Sequence, residues 1–328
     1  MIRHRMYALF GTNRTRRASF ERVAMVTKPL VVAITGANSG IGLRAAERLA
    51  VEGHQVYAIC RSPDRGQAAL ARINSRARTP ARLVLADLSE AASIESAVTC
   101  IRGETDHLDV LINNAAVFDQ TVRTPQFTSA GHELFWATNH LGPFQVTAGL
   151  SHLLASAPRP RLISVASKGL VSMPRIKIRF DALDSASWYS ATKAYYHAKL
   201  AQIMMSYHLA LRAIGKLDVA CIRVPAVRLD ADRVDALPRL LRLVYAPKNR
   251  LAAPPERLAD TYVSIATRET TWTEHVTAAG DPRVELRGIY VDENEHPVTA
   301  PAFAYDAQAR ARLWGLSQQA TGNPDWPW

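Results

Sequence analysis

The segment Leu30-Val-Val-Ala-Ile-Thr35-Gly36-Ala-Asn38-Ser39-Gly40-Ile41-Gly42 limits the possible folds more than any other stretch of this chain. A short apolar, β-branched run ends at a glycine-rich turn, helical apolar spacing follows from Ile41 to Val51, and Gln55 to Cys60 is apolar again. This is β, α, β, the crossover by which a chain reaches a second parallel strand. Glycines let backbone approach a pyrophosphate, and the amino end of the helix offers unpaired N–H groups and a positive dipole. Gly36, Asn38, Ser39, Gly40, Ile41 and Gly42 therefore read as a dinucleotide-binding turn. A glycine-rich turn with no ligand has the same local pattern, so the motif needs support from the rest of the chain.

The alternation continues with a polar helix around Arg65 to Arg76, a strand at Arg82 to Leu88, a helix at Ala91 to Arg102 and a strand at Leu108 to Asn113. A long helix near Gly131 to Ala155, a strand at Arg161 to Ser167, a helix from about Trp188 to Ile214 and a strand at Asp218 to Val224 complete it. Strands apolar throughout that alternate with helices predict an α/β fold, a single doubly wound parallel sheet of Rossmann type with helices on both faces. One catalytic domain over residues 29–328 is expected, preceded by a basic, flexible extension over 1–28. Lys168 to Ser187 and residues 226–287, which contain Pro238, Pro247, Pro254 and Pro255, interrupt the rhythm and read as substrate walls. Within the second, Leu237, Leu240, Leu241 and Val244 follow helical spacing beside Arg239 and Arg242, which suits a lid helix over a pocket better than a basic helix lying on a membrane.

At 328 residues, with 48% hydrophobic and 21% charged, the chain has material for a sizeable core and does not match a disordered composition. Its apolar runs fall far short of the roughly 20 residues that cross a bilayer, which leaves only peripheral membrane contact open. Of the net charge of +11, residues 1–24 supply +5 through Arg3, Arg5, Arg14, Arg16, Arg17 and Arg22 against Glu21. That start admits an organelle transit peptide, but it reads better as a solvated extension or as sequence upstream of a start at Met25. Elsewhere the arginines lack aromatic interleaving or a reading-helix motif, so an anionic cofactor explains the charge better than nucleic acid does. Cys60, Cys100 and Cys221 stand far apart without a Cys-x-x-Cys, which suits a reducing, cytoplasmic setting. None of the ten histidines has companions at metal-ligand spacing, so no metal is expected.

The tip of the second strand reads Ile59-Cys60-Arg61-Ser62, without the carboxylate that would bind a free ribose 2′-hydroxyl. Arg61 there favours a 2′-phosphate, hence NADP over NAD. Tyr189-Ser-Ala-Thr-Lys193 opens a predicted helix, and a spacing of four sets both side chains on one face. A phenol titrates near 10, and an ammonium one turn away would stabilise its phenolate. Ser167, ending the preceding strand, is placed to hydrogen-bond a substrate oxygen for Tyr189.

Together, Thr35 to Gly42, Asp87-Leu88, Asn113-Asn114-Ala115-Ala116, Asn139, Ser167, Tyr189-x-x-x-Lys193 and Pro225 resemble, in order, the motifs of the short-chain dehydrogenase/reductase family. The resemblance narrows toward the retinol-dehydrogenase-like branch through Asn139-His-Leu-Gly-Pro-Phe144, Ala194 to Leu200, and the tail from Gly288-Ile-Tyr290 through Trp314. It implies that Asp87 and Leu88 meet the adenine and that Asn113, Ala115 and Pro225 line the cofactor. It also implies that Lys193 and Tyr189 grip the nicotinamide ribose, and that Asn139 holds a water relaying protons from Lys193. Asn139 also fits a polar residue that kinks its helix by bonding backbone. Ala116 and Val224-Pro225-Ala226 depart from the family's usual Gly and His-Pro-Gly, and the threonine common near Arg228 is absent.

The expected function is NADP-dependent interconversion of a carbonyl and an alcohol, running as reduction of a bulky apolar ketone or aldehyde. Asn139, Ser167, Tyr189 and Lys193 are its catalytic candidates. A carbon–carbon double-bond reductase and a catalytically silent nucleotide sensor or scaffold are the alternatives, and a homo-oligomer is left open.

Overall fold

In the computed structural model of the chain, residues 28–184, 187–230, 234, 249–250, 252–271, 286 and 288–328 are described. Seven parallel strands form one sheet in the order β3-β2-β1-β4-β5-β6-β7. They are β1 (Val31–Thr35), β2 (Gln55–Cys60), β3 (Arg82–Leu85), β4 (Val110–Asn113), β5 (Arg161–Ser167), β6 (Asp218–Val224) and β7 (Tyr290–Asp292). The doubly wound sheet is the one the β/α alternation predicts. The order reverses between β1 and β4, and the crevice outside the carboxyl ends at such a switch is where ligands bind in folds of this kind.

Both faces are covered, and strand residues alternate between them as the pleat requires. Val32, Ile34, Val56 and Ala58 pack with α1 (Gly40–Glu52), α2 (Pro63–Asn74) and a later helix α7 (Pro255–Thr267). Ala33, Tyr57 and Ile59 pack on the opposite side with α3 (Ala91–Glu104), α5 (Gly142–Ala155), α6 (Ala191–Arg212) and α8 (Ala307–Ala320). Trp314 of α8 and Trp326 beyond it meet Phe144 of α5 edge-on, at centroid distances of 4.9 and 5.2 Å.

Several boundaries differ from expectation. The expected strand to Leu88 ends at Leu85, and β7 is a short strand that pattern reading misses. The long helix expected near 131–155 opens with a single turn, α4 (Leu134–Trp136), whose N–H groups are capped by the Glu133 carboxylate, and widens to a π-helical turn at Ala137–Leu141 before α5. The helix expected from Trp188 begins at Ala191, because Ser190 is extended and its Oγ accepts the Lys193 N–H at 3.3 Å. The 226–287 segment contains α7, which buries Leu258, Ala259, Tyr262, Val263 and Ile265, so part of the expected substrate wall is a sheet-covering helix. The 1–27 extension and the Leu237 to Val244 helix lie outside the described residues.

Candidate active site

The glycine turn is fixed from both sides. Gly36 and Gly40 have φ of +69° and +56°, in the left-handed region that favours glycine. Asn114, just past β4, donates from Nδ2 to the Thr35 carbonyl at 2.9 Å and the Gly36 carbonyl at 3.3 Å, while its Oδ1 accepts from the Tyr262 hydroxyl of α7 at 3.2 Å. A Cβ on Gly42 would stand 2.5 Å from both the Gly36 carbonyl oxygen and Asn114 Nδ2, so helix and turn approach as closely as backbone allows. A Cβ on Gly40 would meet nothing within 4 Å. Ser39 supplies no side-chain cap to α1, which leaves the first-turn N–H groups to other acceptors. A cradle of this shape fits a dinucleotide's pyrophosphate.

Around it the predicted cofactor residues take unequal parts. Arg61 is exposed at the tip of β2, and Asn38, Ser39 and Ile41 lie in the turn. Asp87 is half-buried, with Oδ1 accepting the Ser89 N–H at 2.9 Å and its hydroxyl at 2.7 Å, and Leu88 packs under Gly142. Ala115 donates its N–H to Thr35 Oγ1 at 3.0 Å, fixing the β4 end against β1. The Asn113 side chain turns away into α5, donating to Thr147 Oγ1 at 2.8 Å, so it lines the crevice through backbone alone. Pro225 follows β6 at the same edge, and Val227 bridges to Ala253 just beyond it.

Tyr189 and Lys193 are not brought together, and this corrects the expected pair. Tyr189 precedes the cap of α6 and lies off the helix, while Lys193 is exposed on its first turn. The Tyr189 hydroxyl is buried without a hydrogen-bond partner beside a cavity of about 110 Å³ lined by Val117, Glu133 and Phe135. Its phenol is pushed up by burial and then by the Glu133 and Asp119 carboxylates, opposite to the expected direction.

The residue that meets Ser167 is Tyr195, one residue short of two helical turns further on. Its phenol is pushed up to about 12, chiefly by burial and then by Tyr196, with the neighbouring Ser167 acting against that rise. Ser167 Oγ also accepts the Gly169 N–H at 3.3 Å, where the chain leaves β5. Lys199 follows Tyr195 by four residues, is 3% exposed, and donates from Nζ to the Val165 carbonyl at 2.7 Å. Burial brings its ammonium down to about 8. Nζ lies 5.8 Å from the Tyr195 ring centroid. The chain thus contains two successive Tyr-x-x-x-Lys pairs, separated by Ala194. Ser190 as a helix cap, and a lysine set among Ala198, Leu200 and Ala201, are the signals that separate them.

Asn139 is buried within the π-helical turn. Its Oδ1 accepts the Val117 N–H at 2.7 Å and its Nδ2 donates to the Val117 carbonyl at 2.9 Å, so the side chain anchors the segment after β4. Its carbonyl, turned by the π-helical turn, accepts from Gln202 Nε2 of α6 at 2.6 Å. The side chain thus bonds the backbone of the segment after β4 and not that of its own helix. Among the described residues no group of three or more His, Cys, Asp or Glu could hold a metal ion, and no helix is long and apolar enough to cross a membrane.

The family profile described as short chain dehydrogenase matches residues 30–228. The chain belongs to the short-chain dehydrogenase/reductase family. This short-chain dehydrogenase is 31% identical to retinol dehydrogenase 12 of Homo sapiens over 294 residues, covering 89% of this chain and 86% of that one, which places it in the retinol-dehydrogenase-like branch. Among solved structures, an uncharacterized protein from Mycobacterium paratuberculosis is 26% identical with a TM-score of 0.61, covering 91% and 95% of the two chains. The L-sorbose reductase of Gluconobacter frateurii, complexed with NADPH and L-sorbose, shares the fold at 22% identity and a TM-score of 0.58, covering 73% and 90%.

Proposed function

We propose that this short-chain dehydrogenase interconverts a carbonyl and an alcohol with NADP(H), with Tyr195 as the proton-transferring residue, Ser167 as the holder of the substrate oxygen and Lys199 as the cation beneath. The observation that carries this reading is Tyr195 standing beside Ser167 at the carboxyl end of β5, with Lys199 buried one turn behind and its Nζ 5.8 Å from the Tyr195 ring centroid. A bound nicotinamide supplies the hydride; the residues of this chain orient and protonate. Tyr195 is neutral at pH 7, so it is ready to give its proton to the oxygen of a carbonyl held by Ser167, which fits reduction as the working direction. Lys199 is mainly cationic at that pH and favours the phenolate left behind.

The cofactor choice rests on Arg61 at the β2 tip without a neighbouring carboxylate. Supporting it, solved members of this fold are complexed with NADP or NADPH. The branch and the interrupted segments after β5 and β6 favour a bulky apolar aldehyde or ketone. Three cysteines, none in a disulfide, suit a reducing cytoplasm.

The test is NADPH consumption over a panel of aldehydes and ketones by Tyr195→Phe and Tyr189→Phe, with Arg61→Asp as the cofactor control. Loss of a general acid lowers turnover by about 10²–10⁴-fold, and that loss is expected for Tyr195→Phe alone. Arg61→Asp should lose its preference for NADPH over NADH. Full turnover in Tyr195→Phe would remove the proposal.

A further inference from the structure

The glycine turn already holds an anion, and that anion belongs to the chain itself. Asp230, a few residues beyond Pro225, reaches back to the start of α1, where its Oδ2 accepts the Gly40 N–H at 3.1 Å. Arg44, one turn into the same helix, closes on this carboxylate with Nη1 to Oδ2 at 2.9 Å and Nη2 to Oδ1 at 2.6 Å. Both side chains are sheltered, 13% and 20% exposed. Arg44 is held from another side by Glu256 Oε1 of α7 at 3.2 Å.

A helix-start N–H and a guanidinium fork converging on one point form the geometry that phosphate and carboxylate share. Asp230 therefore stands where the cradle would seat a pyrophosphate. Two anions in one sheltered place repel, and a single N–H and a single fork cannot serve both. An acid is also a costly residue to keep beside a phosphate seat unless it has a partner of its own, and Arg44 is that partner.

We propose that Asp230 is an internal competitor for the pyrophosphate seat, and that Arg44 is a pyrophosphate ligand held in reserve by it. When the dinucleotide arrives, Asp230 releases the Gly40 N–H and the Arg44 fork, and both turn to the phosphate oxygens. This rests on the dinucleotide reading given above. The apparent dissociation constant is then the intrinsic one divided by the fraction of chains whose seat is open. Because Asp230 belongs to the segment following β6, cofactor binding also frees the start of that segment.

The test is equilibrium titration of the full chain with NADPH, comparing wild type with Asp230→Asn, Asp230→Ala and Asp230→Asn/Arg44→Met. Asp230→Asn keeps size and an acceptor while removing the charge, and Asp230→Ala removes both. The expectation is a dissociation constant about tenfold lower in both single variants, and a loss of that gain when Arg44 is also replaced. Adenosine 2′-monophosphate, which has no 5′-phosphates, should bind wild type and Asp230→Asn equally. Equal or weaker NADPH binding by Asp230→Asn and Asp230→Ala, with wild type binding normally, overturns the competitor and leaves the dinucleotide reading intact. Failure of wild type and every variant to bind NADPH or NADH overturns both.

Discussion

Replacing Lys199 by methionine should stabilise the cofactor-free chain while removing its turnover. Lys199 is 3% exposed, and burial takes its ammonium from 10.5 to about 8. That difference corresponds to about 3 kcal/mol of native-state cost at pH 7, at about 1.4 kcal/mol per pH unit. Methionine fills similar volume without charge but leaves the Val165 carbonyl without its donor, which gives back about 1 kcal/mol. The net expectation is a gain of about 2 kcal/mol at pH 7, read as a higher urea midpoint at unchanged slope. The pH dependence supplies the decisive signature. Below pH 8 the lysine is charged in both folded and unfolded states, and its cost is carried in full. Between pH 8 and 10.5 the folded chain has released the proton that the unfolded chain keeps, so the cost of the lysine shrinks as pH rises. Cys60 and Cys221, raised by burial to about 11 and about 12, work in the opposite direction from about pH 9, and Tyr195, raised to about 12, from about pH 10, so the lysine is isolated by the difference between Lys199→Met and wild type at pH 7, 8 and 9.5, which should shrink. A difference that does not change with pH, or a variant less stable at pH 7, would refute the reasoning.

Gly42→Ala should lose about 2 kcal/mol or more in urea denaturation and bind NADPH at least tenfold more weakly, because its Cβ would meet backbone and a doubly bonded amide at 2.5 Å. Stability should also fall in mild acid. Burial lowers His140 to about 3 and both His197 and His208 to about 4. Between pH 6.5 and those values the unfolded chain therefore binds protons that the folded chain refuses. The loss from pH 7 to pH 5 should be about 2 kcal/mol per histidine, and His197→Gln should remove about a third of it in paired denaturation curves; an unchanged difference would exclude His197 as a source.

The sheet was legible because β1, β2, β4, β5 and β6 are apolar on both faces and separated by helix-length segments, and the turn because Gly36, Gly40 and Gly42 each answer a local steric demand. β7, with three residues, is too short to carry a periodicity. Tyr189 and Lys193 satisfied the spacing rule, but spacing does not say where a helix begins. Ser190, a residue able to cap, divided them. Lys199 lies inside an apolar run, where a charged residue marks a site more specifically than spacing does. Asn114 shows in the sequence only as part of a motif, since its bonds to Thr35 and Gly36 link residues almost eighty positions apart. Asp230 carries no local pattern, and its meeting with Gly40 exists only in the folded chain.

Asn114 rivets the first half of the sheet to the second at the seam between β1 and β4. The alignment of the glycine turn with the end of β4 is thereby set upstream of the loops that follow β5 and β6. Those stretches can drift in sequence without loosening the junction beneath them.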